Sequence, residues 1–555
     1  MMEYYIGVDV GTASVRAALS SCSGDSIKIV KTSVQPIQIW NDTPDHFEQS
    51  SADIWAAVTH TVTSVMTESG VAVNQVKGIG FDATCSLVVL DDNLRPLAVT
   101  LPKPNEKQTD SSRNIIMWMD HRALEEANAI NNTDHSILQF VGGKISAEME
   151  MPKILWLKLH LKNTWNKIGA LFDLPDFLTW KATGSLSRSL CSLVCKWAYD
   201  ASQGSLKEHG WNDDFLTKIG LSDLAKEQHL KLGQKVKAPG EPVGEGLSES
   251  SAAELGLLPG TPVGTSLIDA HAGGVGMLTC KPHALRDYKI KTENKLGLIC
   301  GTSTCHMVVS EQPAFIPGVW GPYFSAMVPG MWLNEGGQSA TGKVIDHILQ
   351  SHPAYQELEA EASPYSALSQ LISRLAQEKG IPEYALTRDL HVYPDFHGNR
   401  SPLADPTMKG GICGLTLSSS KDDLAVLYLA TLQSLLYGTK HIVDEMESSG
   451  YDITAVYMCG GLIKNTLFVQ MTADILNKPV VISDEPESVL LGAALLGLCA
   501  AKQASLSDVI SRVKCGGTAY MPCAESQGFH SRKYKVFRQM CKDQLAYRDI
   551  MNSYS

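Results

Sequence analysis

At 555 residues the chain exceeds what one hydrophobic core accommodates, so at least two sizeable domains are expected. Hydrophobic residues at 44% and charged residues at 19% exclude a disordered chain, and a net charge of -12 excludes a surface built for nucleic acid or anionic lipid. The thirteen cysteines lack the spacing of a disulfide framework, so reduced thiols and a cytoplasmic location are expected.

The opening, Met1-Met2-Glu3-Tyr4, has no basic segment, and the apolar run behind it is too short for a secretion signal. That run, Tyr4 to Val8, ends in a lone carboxylate, Asp9, beside Gly11-Thr12, and a second apolar run, Val15 to Leu19, follows. The pattern predicts a hairpin. A helix is expected from Ser50 to Met66, with Ile54, Trp55, Val58, Val62 and Val65 at helical spacing and Ser50-x-x-Asp53 capping the first turn. A strand, Val76 to Phe81, closes on Asp82. Cys191 and Cys195 stand four residues apart, but no second pair or His-x-x-x-His accompanies them and no zinc site is expected.

Further along, Ser266 to Ile268 delivers Asp269 into Ala270-His271-Ala272-Gly273-Gly274, small residues that leave space around an acid. Asp269 reads as a base in a tight pocket, or else as the cap of a turn. For His271 the expected role is a packed histidine. The polar, basic stretch 281–293 reads as a linker between domains 1–280 and 294–501, with a partly helical tail over 502–555 packed back on the N-terminal half. Leu296 to Thr302 with Cys305 to Val309 repeats the first hairpin, Gly301-Thr302-Ser303 forming the turn and Ile299 standing where the first has its acid. A chance match is the alternative. Gly337-x-x-x-x-Gly342-Lys343 imitates a Walker A loop but has Val344 in place of the metal-binding hydroxyl.

Towards the C-terminus strand and helix alternate: Ala455 to Met458, Thr466 to Leu476, Pro479 to Ile482, then Val489 to Leu498, which indicates α/β layers. The apolar run Val489 to Ala501 is well short of the roughly 20 residues of a membrane span, and its small residues suit a packed helix.

Two hairpins facing one another would offer backbone N–H groups and Thr hydroxyls to a nucleotide's phosphates, and Asp9 would then hold the accompanying Mg²⁺. The alternative for Asp9 is a strand-end turn bond. Gly460-Gly461, between strand and helix, would let a purine approach the backbone, with Asn465 as its polar contact. Hydroxyl-rich ligands need clusters such as Asp82 with Ser86, Trp118-Met119-Asp120-His121-Arg122, Lys196 and Glu335, although Trp118 could be core and Asp120 with Arg122 a solvated pair.

Together Asp9-Val10-Gly11-Thr12, Trp118 to Arg122, Asp269 to Gly273, Gly301-Thr302-Ser303, Gly410 to Leu415 and Gly460 to Asn465 resemble the motifs of the FGGY carbohydrate kinases, in family order from about Tyr4 to about Gly497. The resemblance implies an α/β chain of two RNase H-like domains, as in actin and Hsp70, closing on ATP and a small-molecule sugar. It places Asp269 as base, Asp9 at Mg²⁺, Thr12, Ser14, Arg16, Thr302 and Ser303 at phosphates, and Gly461 and Asn465 at adenosine. Thr84-Cys85-Ser86-Leu87-Val88 is similar to the stretch that marks ribulokinase-type members, which implies D-ribulose as acceptor; L-ribulose, xylulose or ribitol is the alternative, and a non-catalytic ATP-gated clamp the rival of another class. Lys196 and Glu335 match sugar-contact positions. One departure is Val426, where the family's second signature has a polar residue. No nucleic-acid or membrane partner is expected, and a homodimer is left open.

Overall fold

A computed structural model describes residues 2–101, 111–201, 210–286, 288, 290–359 and 363–553. Positions 287 and 289 of the expected linker, and the last two residues of the tail, lie outside the described residues.

In the first half a five-stranded sheet runs in the order Leu267–Ile268, Val76–Ala83, Glu3–Val10, Ser14–Ser23, Ser26–Pro36. Glu3–Val10 and Ser14–Ser23 form the expected hairpin, pairing Asp9 with Arg16, while Val76–Ala83 runs parallel to the first strand and sets Asp82 beside Asp9. Strand alternation sorts the side chains. Ile6, Val8 and Val10 pack with Ile54, Val58 and Val62 of the helix Ser51–Ser69, whereas Tyr5 faces a second core containing Leu491, Ala494 and Leu495. Asp9 shares the Tyr5 face. The helix begins where its signature places it, Ser50 accepting the N–H of Asp53.

The second half repeats this plan in a seven-stranded sheet ordered Trp320–Phe324, Trp332–Gln338, Thr304–Ser310, Lys295–Cys300, Ala455–Cys459, Val480–Ser483, Gly517–Tyr520. Lys295–Cys300 and Thr304–Ser310 are the second hairpin, and Ala455–Cys459 lies parallel to it with Cys459 opposite Ile299. Strand by strand this is the arrangement that sets Asp82 opposite Asp9, so the two hairpins are equivalent elements of a duplicated layout.

The helix Ser488–Lys502 belongs by sequence to the second half but packs on the sheet of the first and on the helix Asp269–Leu278. The approach is backbone to backbone: a Cβ on Gly80 would come to 2.1 Å from Ala493 O, and one on Gly492 to 2.0 Å from Ala272 O. Small residues in Val489 to Ala501 therefore serve packing. Among the described residues no single helix is long and apolar enough to cross a membrane.

The tail departs from expectation. Its short helix Leu506–Arg512 buries Leu506, Val509 and Ile510 in the core shared with the first half, but the long helix Ala524–Asn552 packs on the second. Phe537 and Cys541 enter the second core, His530 meets the Tyr437 hydroxyl at 2.9 Å, and the Lys533 ammonium donates to the carbonyls of Thr387 and Leu390. The polar look of this segment hid a narrow apolar stripe.

Candidate active site

Three carboxylates meet at the strand ends of the first half. Asp9 is buried and accepts from the Arg16 guanidinium, Nε at 2.8 Å, while Arg16 Nη1 reaches Glu487 Oε2 at 2.7 Å, just ahead of the helix Ser488–Lys502. Burial works against the Arg16 charge, but Asp9 and Glu487 hold it above its ordinary range. Asp82 is fully buried and neither of its oxygens receives a hydrogen bond. Burial, then the charges of Asp9 and Asp269, push its carboxyl well above the usual range. The third acid, Asp269, heads its helix directly behind the strand that pairs Leu267 with Asp82, and accepts the N–H of Ala270 at 2.7 Å. Burial first, and then Asp9, push Asp269 up to about 7.

The first Gly-Thr turn is tied to the aromatic cluster. Gly11 N–H donates to Ser14 O at 3.0 Å, Trp118 Nε1 donates to Thr12 Oγ1 at 3.0 Å, and Trp118 N–H donates to the buried Ser86 Oγ at 3.1 Å. Trp118 is half-buried, packing against the core on one side while its N–H groups make this link. Asp120 and Arg122 are not a solvated pair. Both are buried, the guanidinium gripping Asp120 through Nε and Nη2 and Glu48 through Nη2, with Asp120 also accepting Phe47 N–H. Their bonds fix the path of the Trp118 segment. His121 between them is exposed and lies within electrostatic reach of Glu148.

Lys196 and Glu335 come together from distant parts of the chain, both largely buried. Lys196 Nζ stands 4.6 Å over the Trp320 ring; burial opposes its charge, yet Cys85, Glu335, Cys195 and Glu148 hold the ammonium above the ordinary lysine range. Glu335 Oε2 is buried without a hydrogen bond and lies 3.8 Å from His271 Nε2. Three residues that sequence reading passed over complete the cluster: Trp320, Arg400 with its guanidinium 5.5 Å from that ring, and Glu148, 3.5 Å from Arg400 Nη2. Arg400 lies in the polar turn His397-Gly398-Asn399-Arg400, a signal that could have marked it. Glu148 carried none.

The second turn faces a helix start. Gly301 N–H donates to Ser303 O at 2.8 Å, and the N–H groups of Thr341, Gly342 and Lys343 donate to the carbonyls of Thr302 and Gly301. The Walker-like loop is therefore no phosphate nest, because its amides are spent on the turn, and the Lys343 side chain is exposed. Gly460 adopts φ 95°, and a Cβ there would lie 2.3 Å from Cys300 O, whereas a Cβ on Gly461 would meet nothing within 4 Å. Asn465 caps the helix Thr466–Leu476, accepting from Leu467 and Phe468 N–H and donating to Tyr428 Oη at 2.8 Å. Its amide is committed to holding the loop.

Family models for the N-terminal and C-terminal domains of the FGGY family of carbohydrate kinases match residues 4–276 and 296–501. The chain belongs to the FGGY family of carbohydrate kinases. An FGGY carbohydrate kinase domain-containing protein of Homo sapiens is 50% identical over 99% of this chain and 98% of its own length. A D-ribulokinase of Saccharomyces cerevisiae is 39% identical over 90% of this chain and 72% of its own. The fold is that of a ligand-bound xylulose kinase from Lactobacillus acidophilus, with a TM-score of 0.78 at 18% identity over 100% of both chains. This FGGY chain is thus a sugar kinase of two-domain α/β architecture, and the non-catalytic clamp lapses.

Proposed function

We propose that this kinase transfers the γ-phosphoryl group of ATP to the terminal hydroxyl of D-ribulose, giving D-ribulose 5-phosphate. The observation that carries the reading is Asp269, a carboxyl pushed up to about 7 at the head of a helix of small residues, between the phosphate turn and the Lys196–Glu335 cluster. A base works best with a value near the operating pH, and Asp269 accepts the proton of the sugar hydroxyl as that oxygen attacks phosphorus. Glu335, with a free buried oxygen, and Lys196, with Trp320 beneath it, bind and orient the sugar. Thr12, Ser14, Thr302 and Ser303 hold phosphates at the equivalent turns; Arg16 joins them on leaving Asp9; Gly461 gives the adenine its open face.

The family's chemistry implies Mg²⁺ with the nucleotide, and the donors present suit it: Asp9, and beside it Asp82 with two orphaned carboxylate oxygens, are the hard ligands such a cation takes. Bound there, Mg²⁺ would neutralise charge on the transferring phosphoryl oxygens. The choice of D-ribulose leans on the yeast relative's name and on Thr84 to Val88 at the end of the strand that carries Asp82. ADP release measured over D-ribulose, L-ribulose, xylulose and ribitol tests it. D-ribulose should give the highest kcat/KM; a better turnover of ribitol or xylulose would leave only the sugar kinase.

A further inference from the structure

Cys191 and Cys195 lie one turn apart on the short helix Leu190–Lys196, so both sulfurs face one way, towards the helix Asp269–Leu278. What the sequence could not supply, the fold does: His271 comes from that second helix, and the two Sγ atoms and a ring nitrogen of His271 lie within 4.8 Å of one another. Cys195 Sγ is 3.7 Å from His271 Nε2, and the same nitrogen is 3.8 Å from Glu335 Oε2, which receives no hydrogen bond. All four residues are buried. Two thiols and an imidazole converge on one point, and the Glu335 carboxylate lies beside them on the imidazole side; together they offer the donor set of a tetrahedral thiophilic cation. Zn–S bonds of about 2.3 Å and Zn–N bonds of about 2.0 Å require the two sulfurs and the imidazole nitrogen to draw together by roughly 1 Å, and the Glu335 carboxylate, which lies outside that trio, to swing in beside them. The charges close as well: two thiolates and Glu335 against a dication and the adjacent Lys196 sum to zero.

We propose that Cys191, Cys195, His271 and Glu335 form a binding site for a thiophilic divalent cation, with Zn²⁺ as its natural occupant, and that occupancy inhibits the kinase by taking Glu335 from the sugar. The metal forms bonds to both sulfurs, His271 Nε2 and Glu335 Oε2; each thiol releases one proton to solvent, and nothing is oxidised or reduced. Inhibition rests on the reading of Glu335 as a sugar contact; binding does not.

The test uses full-length, metal-free protein. Co²⁺ is titrated in while thiolate-to-metal charge-transfer and tetrahedral ligand-field bands are recorded, then displaced with Zn²⁺. Wild type should saturate at one equivalent, Cys413→Ser, which removes an exposed thiol, should match it, and Cys191→Ser and Cys191→Ala should lose the bands while keeping metal-free turnover. Zn²⁺ should inhibit wild type competitively with D-ribulose at fixed Mg²⁺ and ATP, and Cys191→Ser should escape. Bands that persist in both folded Cys191 variants, or a wild type without them, overturn the site. Bands that behave as expected, with inhibition equal in wild type and Cys191→Ser, overturn its regulatory role alone. A low turnover on D-ribulose with normal bands would count against the substrate reading instead.

Discussion

Asp269 allows a quantitative test of base catalysis. With its carboxyl at about 7 in the free enzyme, about 9% is ionised at pH 6 and about 91% at pH 8, so kcat/KM for the sugar should rise about tenfold between them. Asp269→Asn keeps the shape and the bond from Ala270 but accepts no proton. Its kcat/KM should fall by roughly 10²–10⁴-fold and lose that pH slope, while nucleotide affinity is unchanged. The neighbours give the sign of a second effect. Lys196 holds the Asp269 carboxyl down against burial and Asp9, so Lys196→Met should move the acid limb to higher pH. Stability follows by linkage. A folded-state value raised above the unfolded one, about 4, gives a contribution that is present below pH 4 and lost as pH rises through about 7. Asp269→Asn should therefore melt higher than wild type at pH 8 and show little difference near pH 4. Steady-state kinetics at constant ionic strength, with thermal melts at both pH values, measure all of this. A wild-type profile flat between pH 6 and 8, or a folded Asn variant retaining wild-type turnover, would refute the reasoning.

Thr12→Val removes the hydroxyl proposed to contact phosphate and strands the Trp118 N–H, so calorimetry should show ATP binding weakened by about 1–3 kcal/mol, whereas Lys343→Ala should bind ATP as wild type does. The reverse pattern would reinstate the Walker-like loop. Glu335→Ala should lower kcat/KM for D-ribulose and narrow its advantage over xylulose and ribitol, with ATP affinity kept, because a site built around one hydroxyl rejects analogues that lack it. Adjacent glycines should separate fold from site. Gly460→Ala, with its Cβ 2.3 Å from Cys300 O, should cost about 1–3 kcal/mol in urea unfolding. Gly461→Ala should unfold as wild type and change only nucleotide binding.

The elements legible in the sequence were those whose signal is local. Asp9 at a strand end, Ser50 capping its helix, Gly460-Gly461 between strand and helix, and the paired hairpins each announce themselves within a dozen residues. What could not be read was company across the fold. Asp120 and Arg122 could pass for a solvated pair in isolation, and only the arrival of Glu48, from the strand His46–Gln49, shows the pair to be buried and braced from outside its own segment. Cys191 and Cys195 lacked a partner until packing brought His271, 76 positions beyond Cys195. Glu148 and Arg400, 252 positions apart, are paired by domain apposition that no periodicity records. The tail helix was misplaced because its apolar residues, among them Phe537, Met540 and Cys541, mark one face of a helix but do not say which half that face meets.

The glycine-lined contact of the helix Ser488–Lys502 limits how the two halves can move. Where main chain rests on main chain at Gly80 and Gly492 there is no layer of side chains to slide through or repack. Sliding along that seam would force main-chain atoms into one another, so any closure of the two halves is expected to turn about it rather than shift along it. A side chain added at Gly80 or Gly492 would drive main chain from main chain, so these two positions should resist substitution although neither is among the candidate sugar or phosphate residues.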